Sequence, residues 1–180
     1  MSTIYLDNAA TTRVREEVVD KISSTIKNEY GNPSSTHSYG RSSKSLIESS
    51  RKEIADILNV KSSEIIFTSG GTEGDNMIIR NCVNNLGVSR IITTKIEHHA
   101  VTHTIDDLIS SRNIKVSYVK VLKSGHVDLN VLEEILKKSD EKSLVSLMHI
   151  NNEIGNITDI QLVSEICQKY NALFHSDTVQ

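Results

Sequence analysis

Residues 90–121, "RIITTKIEHHAVTHTIDDLISSRNIKVSYVKV", decide the fold. They open on a β-branched run at 90–94 and close on another at 115–121. Between the two runs, residues 100–111 have the spacing of a helix. Two strands joined through a helix of this length form a βαβ unit with parallel strands. The polar stretch "KIEHHA" (95–100) stands between the first strand and the helix. In an open α/β sheet, that is where ligand-binding groups collect.

The same unit recurs on both sides. Further strand-like runs are "EIIFT" (64–68), "LVSLMHI" (144–150) and "ALFHS" (172–176). Helical stretches lie near 73–85, 129–138 and 159–170. Strands alternating with helices imply an α/β fold with a mainly parallel sheet, and right-handed crossovers put helices on both faces. Upstream, residues 13–27 form an amphipathic helical stretch, and 42–58 carry a helical stripe of Leu46, Ile47, Ile54, Ala55 and Leu58. The loop between them, "YGNPSSTHSYG" (30–40), holds the only proline.

Composition narrows the function. The 180 residues are enough for one domain with a real core. The net charge of -3 comes from interspersed acids and bases, so no basic stripe points to direct nucleic-acid binding. No apolar run is long enough to span a bilayer, and "MSTIYLDNAA" lacks the features of a secretory signal. The expected location is the cytoplasm. Cys82 and Cys167 are the only cysteines and lie far apart, which argues against a disulfide framework or a CxxC site.

Four of the five strand-like runs end in polar or glycine-rich groups, which a parallel sheet gathers on one rim. "SGGTEGDN" (69–76) opens a helix. Gly70 and Gly71 allow close backbone approach, and the unpaired N–H groups of the helix start favour an anion. The stretch is either a phosphate cup with Thr72 adding a hydroxyl, or a glycine turn with a capping threonine. It matches neither the P-loop nor the dinucleotide spacing. His98 suits a flat ligand, or is an exposed loop histidine. His99 and His103 have the i, i+4 spacing of metal ligands, but no third ligand completes a set, and no metal is expected. "NNEIG" (151–155) supplies amide donors, or is a turn. Asp177 ends the last apolar run, where a carboxylate needs a cationic partner. That partner is a distant salt bridge or a protonated ligand nitrogen. Phosphate cup, imidazole, amide and buried acid together fit pyridoxal 5'-phosphate, whose pyridine nitrogen needs a carboxylate to stay protonated.

Six motifs carry a resemblance: "YLDNAATT" (5–12), "GNPSSTHSYG" (31–40), "FTSGGTEGDN" (67–76), "EHHAV" (97–101), "HINNEIG" (149–155) and "HSDTVQ" (175–180). In order and spacing they resemble the cysteine desulfurases, within the class V aminotransferase group of pyridoxal-phosphate enzymes. The resemblance implies the large domain of a fold-type-I transferase. It places Gly71 and Thr72 on the cofactor phosphate, and His98 against the ring with a possible role in proton transfer. It places Asn152 and Gln180 near the phenolic oxygen, Asp177 on the pyridine nitrogen, and Asn8, Ala9 and Ala10 near substrate. Thr178 stands where many members carry alanine. The resemblance further implies that residues 1–15 join a small domain, and that 16–180 begin the large domain. The family's Schiff-base lysine, nucleophilic cysteine and small domain then lie beyond residue 180, so the chain reads as a truncated, N-terminal half. Lys95 matches no Schiff-base motif, and Cys82 and Cys167 match no nucleophile.

The implied reaction converts L-cysteine to alanine and an enzyme persulfide, whose sulfur passes to an acceptor protein for iron–sulfur clusters or thiolated tRNA. The complete enzyme is expected to be a homodimer. Alternatives are a selenocysteine lyase, a cysteine sulfinate desulfinase or another aminotransferase of the group, or a non-catalytic module for binding or assembly.

Overall fold

The computed structural model describes residues 3–180. The chain divides into two compact units, the first ending at Phe67 and the second running Thr68–Gln180.

The first unit holds α1 (Glu16–Asn28), α2 (Ser38–Leu58) and a 3₁₀ turn at Ser62–Glu64. Glu16 and Glu17 in the first turn of α1, and Lys27 in the last, complement the helix dipole. In α2 the Nδ1 of His37 accepts from the N–H of Gly40, and Asn59 ends the helix in the left-handed region at φ 54°.

The strand expected at 64–68 does not form. Residues 62–64 make the 3₁₀ turn, and Ile65 is extended without belonging to a sheet. A strand exists only by pairing, and the four-stranded sheet takes no member from this segment. Arg51 holds the segment instead, donating to the carbonyl of Ile65 at 2.5 Å and lying 4.7 Å over the Phe67 ring.

The second unit runs α3 (Gly71–Asn85), β1 (Arg90–Thr93), α4 (His99–Arg112), β2 (Lys115–Tyr118), α5 (Leu129–Lys137), β3 (Ser143–Ser146), α6 (Ile160–Lys169) and β4 (Leu173–His175). The strands lie in the order β2-β1-β3-β4, and every pairing is parallel. The expected α/β architecture is therefore present.

Alternation along each strand builds two cores. On one face Ile91 of β1 and Leu144 of β3 pack with Ile79 and Cys82 of α3 and with Val101, Ile105 and Leu108 of α4. On the other, Ile92 and Val145 pack with Leu132 and Leu136 of α5 and with Val163, Ile166 and Cys167 of α6. Each fully buried aliphatic side chain contributes about 1.5–3 kcal/mol. The strands are shorter than the apolar runs that announce them, because beyond β3 and β4 the chain leaves regular pairing to form the rim. There the N–H of Leu147 still donates to the carbonyl of His175, and the N–H of His149 to that of Asp177. Among the described residues, no helix is long and apolar enough to cross a membrane.

Candidate active site

The rim is assembled by side chains that tie one strand end to the next. Beyond β1, the carboxylate of Glu97 accepts from the Thr94 hydroxyl at 2.6 Å and from the backbone N–H of Met148 at 2.8 Å. It therefore joins the end of β1 to the end of β3. Burial pushes its carboxyl up to about 7, and the charges of Asp177 and Asp75 push the same way against the two hydrogen bonds. Asn151 closes the next turn. Its amide donates to the carbonyl of Ile96, and its oxygen accepts from the N–H groups of Glu153 and Ile154.

At the start of α3, Gly70 is extended and no side chain caps the helix. Glu73 turns back to accept from the N–H of Ser69 at 2.6 Å. A Cβ on Gly70 would meet nothing, whereas a Cβ on Gly71 would come within 2.6 Å of the Val179 Cγ2. A side chain at position 71 would have to displace the Val179 methyl, because the segment after Asp177 lies against the helix start. An uncapped helix start leaves N–H groups for an anion, with the hydroxyl of Thr72 beside them.

His98 stands between two grooves. It shares one of about 280 Å³ with Thr72, and a second of about 310 Å³ with Glu97 and Asn152. The ring is exposed and caps α4, its Nδ1 accepting from the N–H of Ala100 at 3.1 Å. That bond leaves the proton of the neutral ring on Nε2. Lys95, just upstream, lies 5.5 Å over the Tyr118 ring.

Asp177 is buried, 9% exposed. One carboxylate oxygen accepts from the N–H of Val179 at 3.0 Å. Among the described residues it forms no ion pair, so the distant salt bridge of the sequence reading is absent. A buried carboxylate with one hydrogen bond and acidic neighbours fits a cationic ligand nitrogen.

The structure thus brings together Gly71, Thr72, His98, Asn152 and Asp177 around the C-terminal ends of the strands. Asn152 is half-buried, and its amide donates to the adjacent Glu153 carboxylate at 2.9 Å. Gln180 is exposed at the end of the same segment. Asn8, Ala9 and Ala10 belong to the first unit and are exposed, in a turn where the carbonyl of Asp7 accepts from Ala10 and Thr11.

Four rim residues escaped the sequence reading. Asp75 and Glu97 lay within motifs valued for their neighbours. Asn151 is indistinguishable by sequence from Asn152. His175 had a usable signal, since it stands two residues before Asp177 on an alternating strand. Both cysteines are free and buried. Burial raises the Cys82 thiol and carries that of Cys167 to about 11, which suits packing rather than nucleophilic attack.

Known proteins resemble this chain in sequence and fold. A family model described as Aminotransferase class-V matches residues 4–180. The chain is 43% identical over 179 residues to cysteine desulfurase IscS of Dictyoglomus turgidum, covering 98% of this chain and 45% of that protein. It is 42% identical over 179 residues to cysteine desulfurase IscS of Methanosarcina thermophila, covering 98% and 44%. Among solved structures, a NifS-like protein superposes with a TM-score of 0.91 at 40% identity, covering 98% of this chain and 49% of that one. SspA in complex with cysteine superposes with a TM-score of 0.91 at 30% identity, covering 99% and 51%. The chain spans about half the length of the relatives it matches. With the family match running from Ile4 to the last residue over a fold and rim of this kind, the chain belongs to the class-V aminotransferase family.

Proposed function

We propose that this chain supplies the cofactor-binding rim of a pyridoxal-phosphate-dependent cysteine desulfurase. The observation that carries the reading is the buried carboxylate of Asp177, without a cationic partner among the described residues, beside the uncapped glycine start of α3. Relatives named cysteine desulfurase, and a neighbour solved with cysteine, support cysteine as substrate over selenocysteine or a sulfinate.

In this reading Gly71 and Thr72 hold the cofactor phosphate, and His98 lies against the ring. Asn152 and Gln180 serve the phenolic oxygen, and Asp177 keeps the pyridine nitrogen protonated. Bound there, the cofactor withdraws electrons from the substrate so that its carbon–sulfur bond can break. Sulfur leaves to a cysteine thiolate of the full-length enzyme as a persulfide, and the remaining carbon skeleton takes a proton to become alanine. Asp177 stabilises positive charge on the ring nitrogen. The Nε2 of His98 is placed to hold or move a proton, because Nδ1 is committed to Ala100. Asn8, Ala9 and Ala10 stand near substrate, residues 1–15 join a smaller domain, and 16–180 belong to the large one. The full-length protein acts as a cytoplasmic homodimer that passes sulfur to an acceptor protein.

The test is to incubate the full-length protein, reconstituted with pyridoxal phosphate, with L-cysteine and to measure alanine and sulfide. Equal amounts of both are expected in the presence of reductant. Binding of pyridoxal phosphate without either product would reject cysteine desulfuration.

A further inference from the structure

The two ends of the proposed cofactor site belong to different elements. Gly71 and Thr72 open α3, whereas Asp177 follows β4. The spacing between them must match a rigid ligand that touches both. Packing of apolar side chains is non-directional and tolerates small slides of a helix over a sheet. Something directional has to fix the distance.

A buried polar row lies where such a device is needed. The core face of the sheet carries Ile91, Leu144 and Leu173, paired across β1, β3 and β4. Two residues nearer the rim, the same face carries Thr93, Ser146 and His175. Exposures there are 0%, 1% and 7%. Ser146 pairs in register with His175, and its hydroxyl shares a hydrogen bond with the imidazole Nδ1 at 2.9 Å. The imidazole Nε2 lies 3.3 Å from the carboxylate of Asp75, which is itself only 6% exposed. Asp75 follows Gly71 by four residues, so the two share one face of α3. Gly71 meets Val179, and Asp75 meets His175. The contacts flank Asp177, one two residues before it and the other two residues after.

Burying a carboxylate, an imidazole and two hydroxyls costs more than burying the aliphatic residues of the row behind. Thr93 even leaves its hydroxyl without a partner. What the polar row gains is direction.

We propose that Asp75 and His175 form a positioning clamp that fixes the phosphate-binding turn of α3 relative to the carboxylate of Asp177, with Ser146 holding the imidazole in orientation. Neither residue is a catalytic residue, since both act through the groups they hold in place. This inference rests on the cofactor reading above.

The test uses pyridoxamine phosphate, which has no aldehyde and binds without a covalent link, together with its two separate parts, pyridoxamine and inorganic phosphate. Each is titrated into the full-length apoprotein and into its Asp75→Leu, Asp75→Asn and His175→Leu variants, with thermal unfolding measured alongside. A rigid site rewards the linked molecule through preorganisation, and a loosened site forfeits that reward. The leucine variants should bind pyridoxamine phosphate about tenfold or more weakly while each separate part changes by less than about threefold. Asp75→Asn, which can still meet the imidazole, should restore binding to within about threefold.

Three outcomes would overturn the clamp. One is a folded leucine variant that binds pyridoxamine phosphate like wild type. Another is a loss shared equally by all three ligands. The third is an Asp75→Asn variant as weak as Asp75→Leu. Should one leucine variant fail to fold, the other decides. If wild type binds none of the three ligands, the cofactor reading falls, and the clamp with it.

Discussion

Asp177 and Glu97 are both buried acids of the rim, and they differ in their partners. Asp177 forms no ion pair among the described residues, which supports the proposed ligand cation. Asp177→Ala should lower turnover of the full-length enzyme at least tenfold to a hundredfold at saturating cofactor, through loss of a charged hydrogen bond in a closed site. Thr72→Ala should weaken cofactor retention more than turnover once saturated. Titration with pyridoxal phosphate, followed by assay at saturation, separates the two, and equal turnover in Asp177→Ala would make that acid structural. Burial raises the carboxyl of Glu97 to about 7 in the folded chain, against an ordinary value of 4.5. The folded chain therefore binds more protons than the unfolded chain between those values. Glu97's contribution to stability is full below the unfolded value and is lost as pH rises through the folded one. Complete expression amounts to on the order of 3 kcal/mol. Denaturation of wild type and Glu97→Gln at a series of pH values should show the variant gaining on wild type from pH 4.5 to above 7. A difference that stays flat would mean that Glu97 titrates as an ordinary exposed acid.

Three helices carry a local stop signal. Asn59 follows α2, Asn113 follows α4 and Asn171 stands just past α6, and all three are in the left-handed region, at φ 54°, 52° and 52°. Asparagine tolerates that conformation where alanine is strained. Asn113→Ala should cost about 1 kcal/mol, visible as a lower denaturant midpoint with unchanged slope. At the other end, Asp159 caps α6 by accepting from the N–H of Leu162 at 3.0 Å. Asp159→Ala should cost about 0.5–2 kcal/mol by the same measurement. An unaffected midpoint in either variant would show that tertiary packing alone sets these helix ends.

At the scale of the whole molecule, the sheet separates two cores. Ile105 lies in one and Val163 in the other, with no shared cluster. Ile105→Val and Val163→Ala should therefore destabilise additively to within about 0.5 kcal/mol. A larger coupling energy in the double mutant would mean that the sheet transmits strain between its faces. The same architecture shields both thiols, Cys82 in the first core and Cys167 in the second. The 180-residue chain alone should accordingly release no sulfide from cysteine, even when it binds cofactor analogues. Sulfide production by this chain, lost when both thiols are replaced by alanine, would overturn this.

The sequence by itself determined the alternation of strands and helices, because periodicity reports directly on which side chains face a core. It also pointed to the rim, since a parallel sheet sends every strand end to one side and the motifs at those ends include His98 and Asp177, whereas Gly71 and Thr72 reach it through the start of α3, against Val179. It misjudged "EIIFT", where β-branched composition describes a strand but only a neighbour can make one; Arg51 holds that backbone instead. It gave no partner for Asp75, Glu97, Asn151 or His175, whose side-chain partners beyond local turns and the Thr94 contact lie 29 or more residues away. The partner of Asp177 was open for the same reason: a salt-bridged carboxylate and one without an ion pair are written with the same letter. Tertiary structure alone excluded a salt bridge among the described residues, because burial and nearby charge are properties of what the fold brings together, not of the residue.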